Sequence, residues 1–221
     1  MIRHPTAGMD EDAIWAAIDR ERLDLADLLE DLSDEEWAHS SLCAGWRIRD
    51  VAAHLALAHI GRAQAAVGIL RGGGSFDRMI RDTARRHATV PTKQVIAEIR
   101  AMGGSRRRAP GVTHLEPLLD ILVHGQDIAI PLGRPRTMPV DAAATAATRV
   151  WTMGWPFSTA FRARTRLRGL ELVATDTDWS VGEGAQVEGP VEALLLLLTG
   201  RTAAVSRLSG TGVGQLASAV H

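Results

Sequence analysis

The chain has 221 residues, 46% hydrophobic and 23% charged, which is ordinary globular composition for one sizeable core or two small domains. A formal net charge of -1 supplies no global basic field to attract nucleic acid or an anionic membrane, and one cysteine, Cys43, excludes an intrachain disulfide. The N-terminus lacks the apolar run of a signal peptide, and the longest aliphatic block, Leu194 to Leu198, is too short to span a bilayer. A soluble cytoplasmic protein is expected.

From Asp10 to about Asp31 the apolar positions Ile14, Ile18, Leu25, Leu28 and Leu29 recur at helical spacing, with acids in the first turn. Ser33-Asp34-Glu35-Glu36 reads as a capping box opening a short helical turn that ends near Trp37. Cys43-Ala44-Gly45 is a turn. A second helix starts near Trp46 or Arg47 and stops at Gly72-Gly73-Gly74. Its face around His54 carries Asp50, Val51, Ala58, Gly61 and Ala65, small enough for a neighbouring helix to approach closely. His54 points at that neighbour, as a satisfied core histidine or as a ligand. His59 lies off this face, and Asp50 suits the helix's first turn.

Residues 75–91 are polar and arginine-rich, and His87 sits there without partners. A short helical pattern covers Thr92 to Met102. The basic loop Gly103-Gly104-Ser105-Arg106-Arg107-Arg108 that follows has no aromatic residues for stacking on bases. It is a solvated face, or one of its arginines holds a substrate carboxylate.

The segment EPLLDILVHGQDIAIPLGR is a third helix, with Pro117 near its first turn and Pro131 and Gly133 closing it. A fourth, Ala-rich helix runs from Val140 to Trp151 or Met153, enough for a four-helix bundle. Beyond Phe161 the pattern changes. Leu167 to Asp176, Trp179 to Val181 and Ala185 to Glu188 are strand-like, and Pro190 opens the helix VEALLLLLTGR. The glycine-rich string Gly210 to Gly214 is assigned to a turn. The expected organisation is mainly α, with a bundle over residues 1–160 and a small α+β domain over 161–221.

Within the third helix, Asp120 and His124 are four residues apart and project from one face, and Asp127 joins them three residues on. That face otherwise looks like core, and an unpaired buried carboxylate is costly unless neutralised, hydrogen-bonded or metal-bound. One outcome is an Asp–His hydrogen bond between helices. The other is half a metal site, nearly completed by an imidazole from a second helix.

Two strings carry a family resemblance. SLCAGWRIRDVAAHL resembles the first signature of the mycothiol-dependent maleylpyruvate isomerase family, within the wider DinB-like group, and LVHGQDIAIPLGR resembles its second. GPVEALLLLLTGR is similar to the family's small C-terminal domain. The resemblance implies a DinB-like helical bundle whose divalent metal, commonly zinc, is held at positions matching His54, Asp120 and His124. It implies mycothiol as thiol cosubstrate, activated by the metal as thiolate, and a small electrophilic substrate, with cis–trans isomerisation or S-transfer as the outcome. Asp120 stands where the family usually has glutamate, and Gln126 where tryptophan is frequent. Asp127 is a candidate for orienting an imidazole or accepting from another helix, and Arg201 for a role at the substrate. Two other readings keep the same bundle: a hydrolase using metal-bound water, and a metal-binding module without turnover.

Overall fold

The computed structural model describes residues 8–57, 76–108, 112–154 and 161–219. The protein is mainly helical with a small three-stranded sheet. Glu11–Arg136 forms one compact unit, and the chain from Thr137 onward makes up most of a second. Among the described residues, no helix is long and apolar enough to cross a membrane.

The first unit begins with α1 (Glu11–Glu30), which buries the expected stripe of Ile14, Ile18, Leu25 and Leu29. Ser33 caps α2 (Asp34–Ala38) by the reciprocal bonds of a capping box, Glu36 N–H to Ser33 Oγ and Ser33 N–H to Glu36 Oε2. α3 (Ile48–Ala56) follows, and Asp50 turns back to accept the Arg47 N–H at 2.9 Å. The remainder expected of this helix, with Ala58, His59, Gly61, Ala65 and the triple glycine, lies outside the described residues.

Residues 75–91, to which the sequence assigned no element, include α4 (Phe76–His87). Ala84 of this helix is buried. His87 has a partner after all. Its Nε2 lies 2.5 Å from Glu98 Oε2 on α5 (Thr92–Arg100). The unit closes with α6 (Leu115–Ala129), a 3₁₀ turn at Ile130–Leu132, and Gly133 in the left-handed conformation at φ 60° that ends it. α6 and α5 pack on α1, while α3 packs on α4, α5 and α6.

The Ala-rich helix, α7 (Val140–Thr152), belongs to the second unit, so the compact units part at Arg136 and Thr137, whereas the sequence suggested a division near residue 160. Its small buried face of Ala142, Ala143, Ala146 and Ala147 lets the leucine-rich α9 (Val191–Leu198) pack closely upon it. α8 (Ala163–Arg166) precedes β1 (Leu170–Ala174), β2 (Ser180–Gly182) and β3 (Ala185–Gly189). β1 is central, antiparallel to β2 and parallel to β3. Gly184, at φ 128°, makes the crossing possible, because a Cβ there would lie 2.1 Å from the Gly169 carbonyl oxygen. Of the string Gly210 to Gly214 assigned to a turn, Val213 and Gly214 already belong to α10 (Val213–Ala219).

Candidate metal centre

α3 and α6 pack against each other, and each brings a side chain to the contact that core packing alone does not require. His54 sits on α3 among Val51, Ala52 and Leu55, all buried, which fix the helix while the imidazole projects from it. On α6, Leu118, Leu122 and Ile128 are buried, and Asp120 and His124 project one turn apart.

The three expected side chains converge. Asp120 Oδ1 lies 3.4 Å from His54 Nε2 and 3.5 Å from His124 Nε2. The two imidazoles meet edge to face, with ring centroids 5.1 Å apart at 84°. One ligand atom from each residue falls within 4.8 Å of the others, a spacing that a single cation can bridge. The side chains keep contact with solvent, at 22% exposure for His54, 33% for Asp120 and 19% for His124, so a small ligand can reach them.

Asp127 is different, since its side chain is completely enclosed. Its Oδ2 lies 2.8 Å from His124 Nδ1 and accepts from the Cys43 thiol at 3.0 Å. An ionised carboxylate only accepts, so a proton on Nδ1 satisfies this contact and leaves Nε2 as the atom turned toward Asp120 and His54. A histidine with one nitrogen on a carboxylate and the other free toward a second carboxylate and imidazole is arranged as a metal ligand. Of the two roles open to Asp127 in the sequence, orienting an imidazole is the one its contacts match.

The electrostatics favour a positive charge here. Burial works to lower the His54 pKa, but the charge of Asp120 and its hydrogen bond outweigh that and raise it above the ordinary value. Asp120 thus attracts a proton to the imidazole where it would equally attract a cation. The buried Arg22 of α1 donates from Nη1 to the Met102 and Ser105 carbonyls, and its charge is felt at Asp120. Trp46 stands edge-on to His54, with ring centroids 5.8 Å apart.

Residues 18–117 match the model of a family described as the mycothiol maleylpyruvate isomerase N-terminal domain. The match includes Cys43 and His54 and ends at Pro117, just before Asp120. Two solved structures of mycothiol-dependent maleylpyruvate isomerase, one with a histidine-to-alanine substitution, share the fold. Each is 12% identical and covers 93% of this chain and 96% of its own, with TM-scores of 0.65 for the substituted protein and 0.64 for the other. No curated protein matches the chain. At this identity the structures speak for the fold alone.

Arg201, the remaining candidate, lies in the second unit just beyond α9, where its Nη1 donates to the Thr199 carbonyl at 2.8 Å. The basic run after α5 is turned to surface pairs, with Arg106 Nη2 2.8 Å from Asp12 and Arg108 Nη1 4.0 Å from Glu11. In the sequence Cys43 reads only as part of a turn, with no base adjoining it in the chain. The base is distant in sequence, and the only signal was that Cys43 and Asp127 both fall within the two signature strings.

Proposed function

We propose that His54, Asp120 and His124 hold a divalent metal ion, zinc by the chemistry of the donor set, and that the site activates a small-molecule thiol of the mycothiol class. The partner substrate is a small electrophile, and the reaction is thiol-dependent isomerisation or S-transfer. The observation that supports this most directly is the convergence of two imidazole Nε2 atoms on Asp120 Oδ1, with His124 Nδ1 2.8 Å from Asp127 Oδ2. Two histidines and one carboxylate are an established zinc donor set, and three protein ligands leave a position open for an exchangeable group. A bound divalent cation would supply one thing: a lowered pKa for the thiol, so that thiolate is present at neutral pH.

The chain's own residues do the rest. Asp127 keeps the His124 proton on Nδ1 and so keeps Nε2 available. Asp120 is the only anion among the three, and offsets part of the charge of a cation. The Trp46 ring restrains the His54 imidazole on one edge, as His124 does on another. The match to the mycothiol maleylpyruvate isomerase N-terminal domain directs the choice of thiol.

The test is turnover of maleylpyruvate and of simple electrophiles by zinc-loaded protein with mycothiol, with glutathione and with no thiol. Consumption that needs both zinc and mycothiol is expected. Hydrolysis at the same rate without thiol would transfer the site to metal-bound water, and zinc binding without either reaction would make it a binding module.

A further inference from the structure

The Asp127 Oδ2 atom receives two donors from different parts of the chain. His124 Nδ1, on the same helix, lies at 2.8 Å, and the Cys43 thiol, from the turn before α3, lies at 3.0 Å. The sulfur stands 3.7 Å from Nδ1. That turn is built to put Cys43 there. The Ser41 hydroxyl donates to the Trp46 carbonyl at 2.9 Å and accepts the Cys43 N–H at 3.1 Å. The Leu42 N–H donates to the Asp127 backbone carbonyl at 3.1 Å, so the turn is tied to the very residue whose side chain takes the thiol. Arg85 of α4 holds the other side of the turn through the Gly45 carbonyl at 3.0 Å.

We propose that Cys43 is a positioning residue for His124: through Asp127 its thiol holds the imidazole in the Nδ1–H tautomer, with Nε2 facing Asp120 and His54. The functional consequence rests on the metal reading above, but the tautomer is a property of the ion-free chain. A thiol is a weak donor, so its contribution is one of direction. An enclosed carboxylate with donors on one oxygen from its own helix and from a docked turn has a defined rotamer. Without the second donor, rotation about Cα–Cβ and Cβ–Cγ is less restricted, and the imidazole loses its fixed acceptor. The position of the sulfur separates this role from that of a ligand to the same ion. Cys43 clusters with Asp127 and Nδ1, whereas His54 and Asp120 gather around Nε2.

The experiment compares the wild type with Cys43→Ala and Cys43→Ser in two measurements. Nitrogen-15 NMR of the ion-free proteins reads the His124 tautomer, and zinc titration against a competing chelator reads affinity. In the wild type His124 should be Nδ1–H. Cys43→Ala should give a mixture of tautomers and zinc binding about tenfold weaker, at the low end of what outer-shell partners carry. Cys43→Ser, whose hydroxyl still donates, should restore the single tautomer and most of the affinity. If Cys43→Ala does not fold, alkylation of the folded wild type at its one cysteine removes the same proton and is read in the same way. A single Nδ1–H tautomer and unchanged zinc affinity after loss of the thiol proton would overturn the proposal. Absence of zinc binding in every protein would instead remove the metal reading, and the tautomer comparison would still decide the role of Cys43.

Discussion

α6 carries polar groups into two environments, and the contrast between them separates scaffold from site. Around Gly125 and Gln126 the groups are closed in. Arg136 Nη2 reaches Glu21 Oε2 at 2.5 Å and the Glu21 carbonyl at 3.0 Å, and Gln126 Nε2 donates to the Arg136 carbonyl at 2.9 Å. The two charged side chains are 5% and 6% exposed, with short bonds and nothing left for a ligand. Asp120 contacts His54 at 3.4 Å and His124 at 3.5 Å, longer than a good hydrogen bond, and the side chains stay open to solvent. Charges that serve the fold are satisfied within the chain, whereas the longer gap among three ligand-type atoms fits an additional binder. Composition alone distinguishes the clusters poorly, since both contain a carboxylate beside a cationic or basic partner.

The closed cluster should give the largest effect when broken. Glu21→Ala leaves the Arg136 guanidinium buried without its counter-charge, and losing one partner of a buried pair costs about 3–5 kcal/mol. Urea denaturation should show that loss in ion-free protein, with zinc binding to the folded fraction unchanged. A stability change under about 1 kcal/mol would make this pair no stronger than a surface one. The pair also sets a pH dependence. Burial pushes the Glu21 carboxyl above its ordinary value, with Arg136 opposing. A carboxyl raised in the folded state holds its proton longer there than in the unfolded chain. Its contribution is therefore present below the unfolded pKa and lost as pH rises through the folded one. Glu21→Gln should flatten that decline just above the ordinary carboxylate range.

The open cluster should respond in the opposite way, with little effect on ion-free stability and a large one on metal response. A metal that binds only the folded state stabilises by about 2.7 kcal/mol at a hundredfold excess over its dissociation constant. His124→Ala should abolish that gain in a thermal-shift measurement, while His87→Ala, which removes a partner of Glu98 elsewhere in the unit, should retain it. Equal metal-induced shifts in the two variants would place the ion somewhere else.

How much of this was legible in the sequence follows from the range of the interactions. Helix α1, the Ser33–Glu36 cap and the three strands were readable because they rest on local periodicity and local hydrogen bonds. The meeting of His54 with Asp120 and His124 was also anticipated, from i to i+4 spacing on one helix and a small-residue face on another, reinforced by the family signatures. Helix α4 was passed over because its sequence is strongly polar, with Arg78, Arg81, Arg85 and Arg86 among its twelve residues. The Ala-rich α7 was counted with the bundle because a stripe of small residues does not say which neighbour it fits. The Glu21–Arg136 pair joins residues 115 apart, and the Cys43–Asp127 contact residues 84 apart, so neither leaves a local pattern. Tertiary pairing of polar groups was what the sequence withheld.

Gly125 tests how tightly the closed side is packed. A Cβ on it would come 2.6 Å from Arg136 Nε, a guanidinium that Glu21 prevents from moving freely aside. Overpacking costs about 1–3 kcal/mol, and the better helix propensity of alanine returns up to about 1 kcal/mol. Gly125→Ala should therefore destabilise the ion-free protein by about 1 kcal/mol, and by less in a Glu21→Ala background, where Arg136 is free to shift. Strict additivity in a double-mutant cycle would mean that the glycine and the pair are independent.

The smallest change is expected at Asp120, the proposed ligand that stands where the family resemblance implies glutamate. In the ion-free chain its Oδ1 sits between the two imidazoles at nearly equal distances, 3.4 and 3.5 Å, so the shorter side chain already reaches the centre. One added methylene can be absorbed by a side chain that is one-third exposed, without moving α6, whereas a backbone shift would disturb the enclosed Asp127 bonds behind it. Asp120→Glu should thus bind zinc at least as tightly as the wild type in a chelator competition. Asp120→Asn keeps the shape but removes the only anion among the three ligands, and should bind clearly less tightly. The ranking, with the glutamate variant at or above wild type and the asparagine variant below both, is the decisive reading. If the asparagine variant matches the wild type, Asp120 is no ligand, and its contacts with the two histidines are a hydrogen-bonded link between α3 and α6 of the same kind as the closed cluster on the helix's other side.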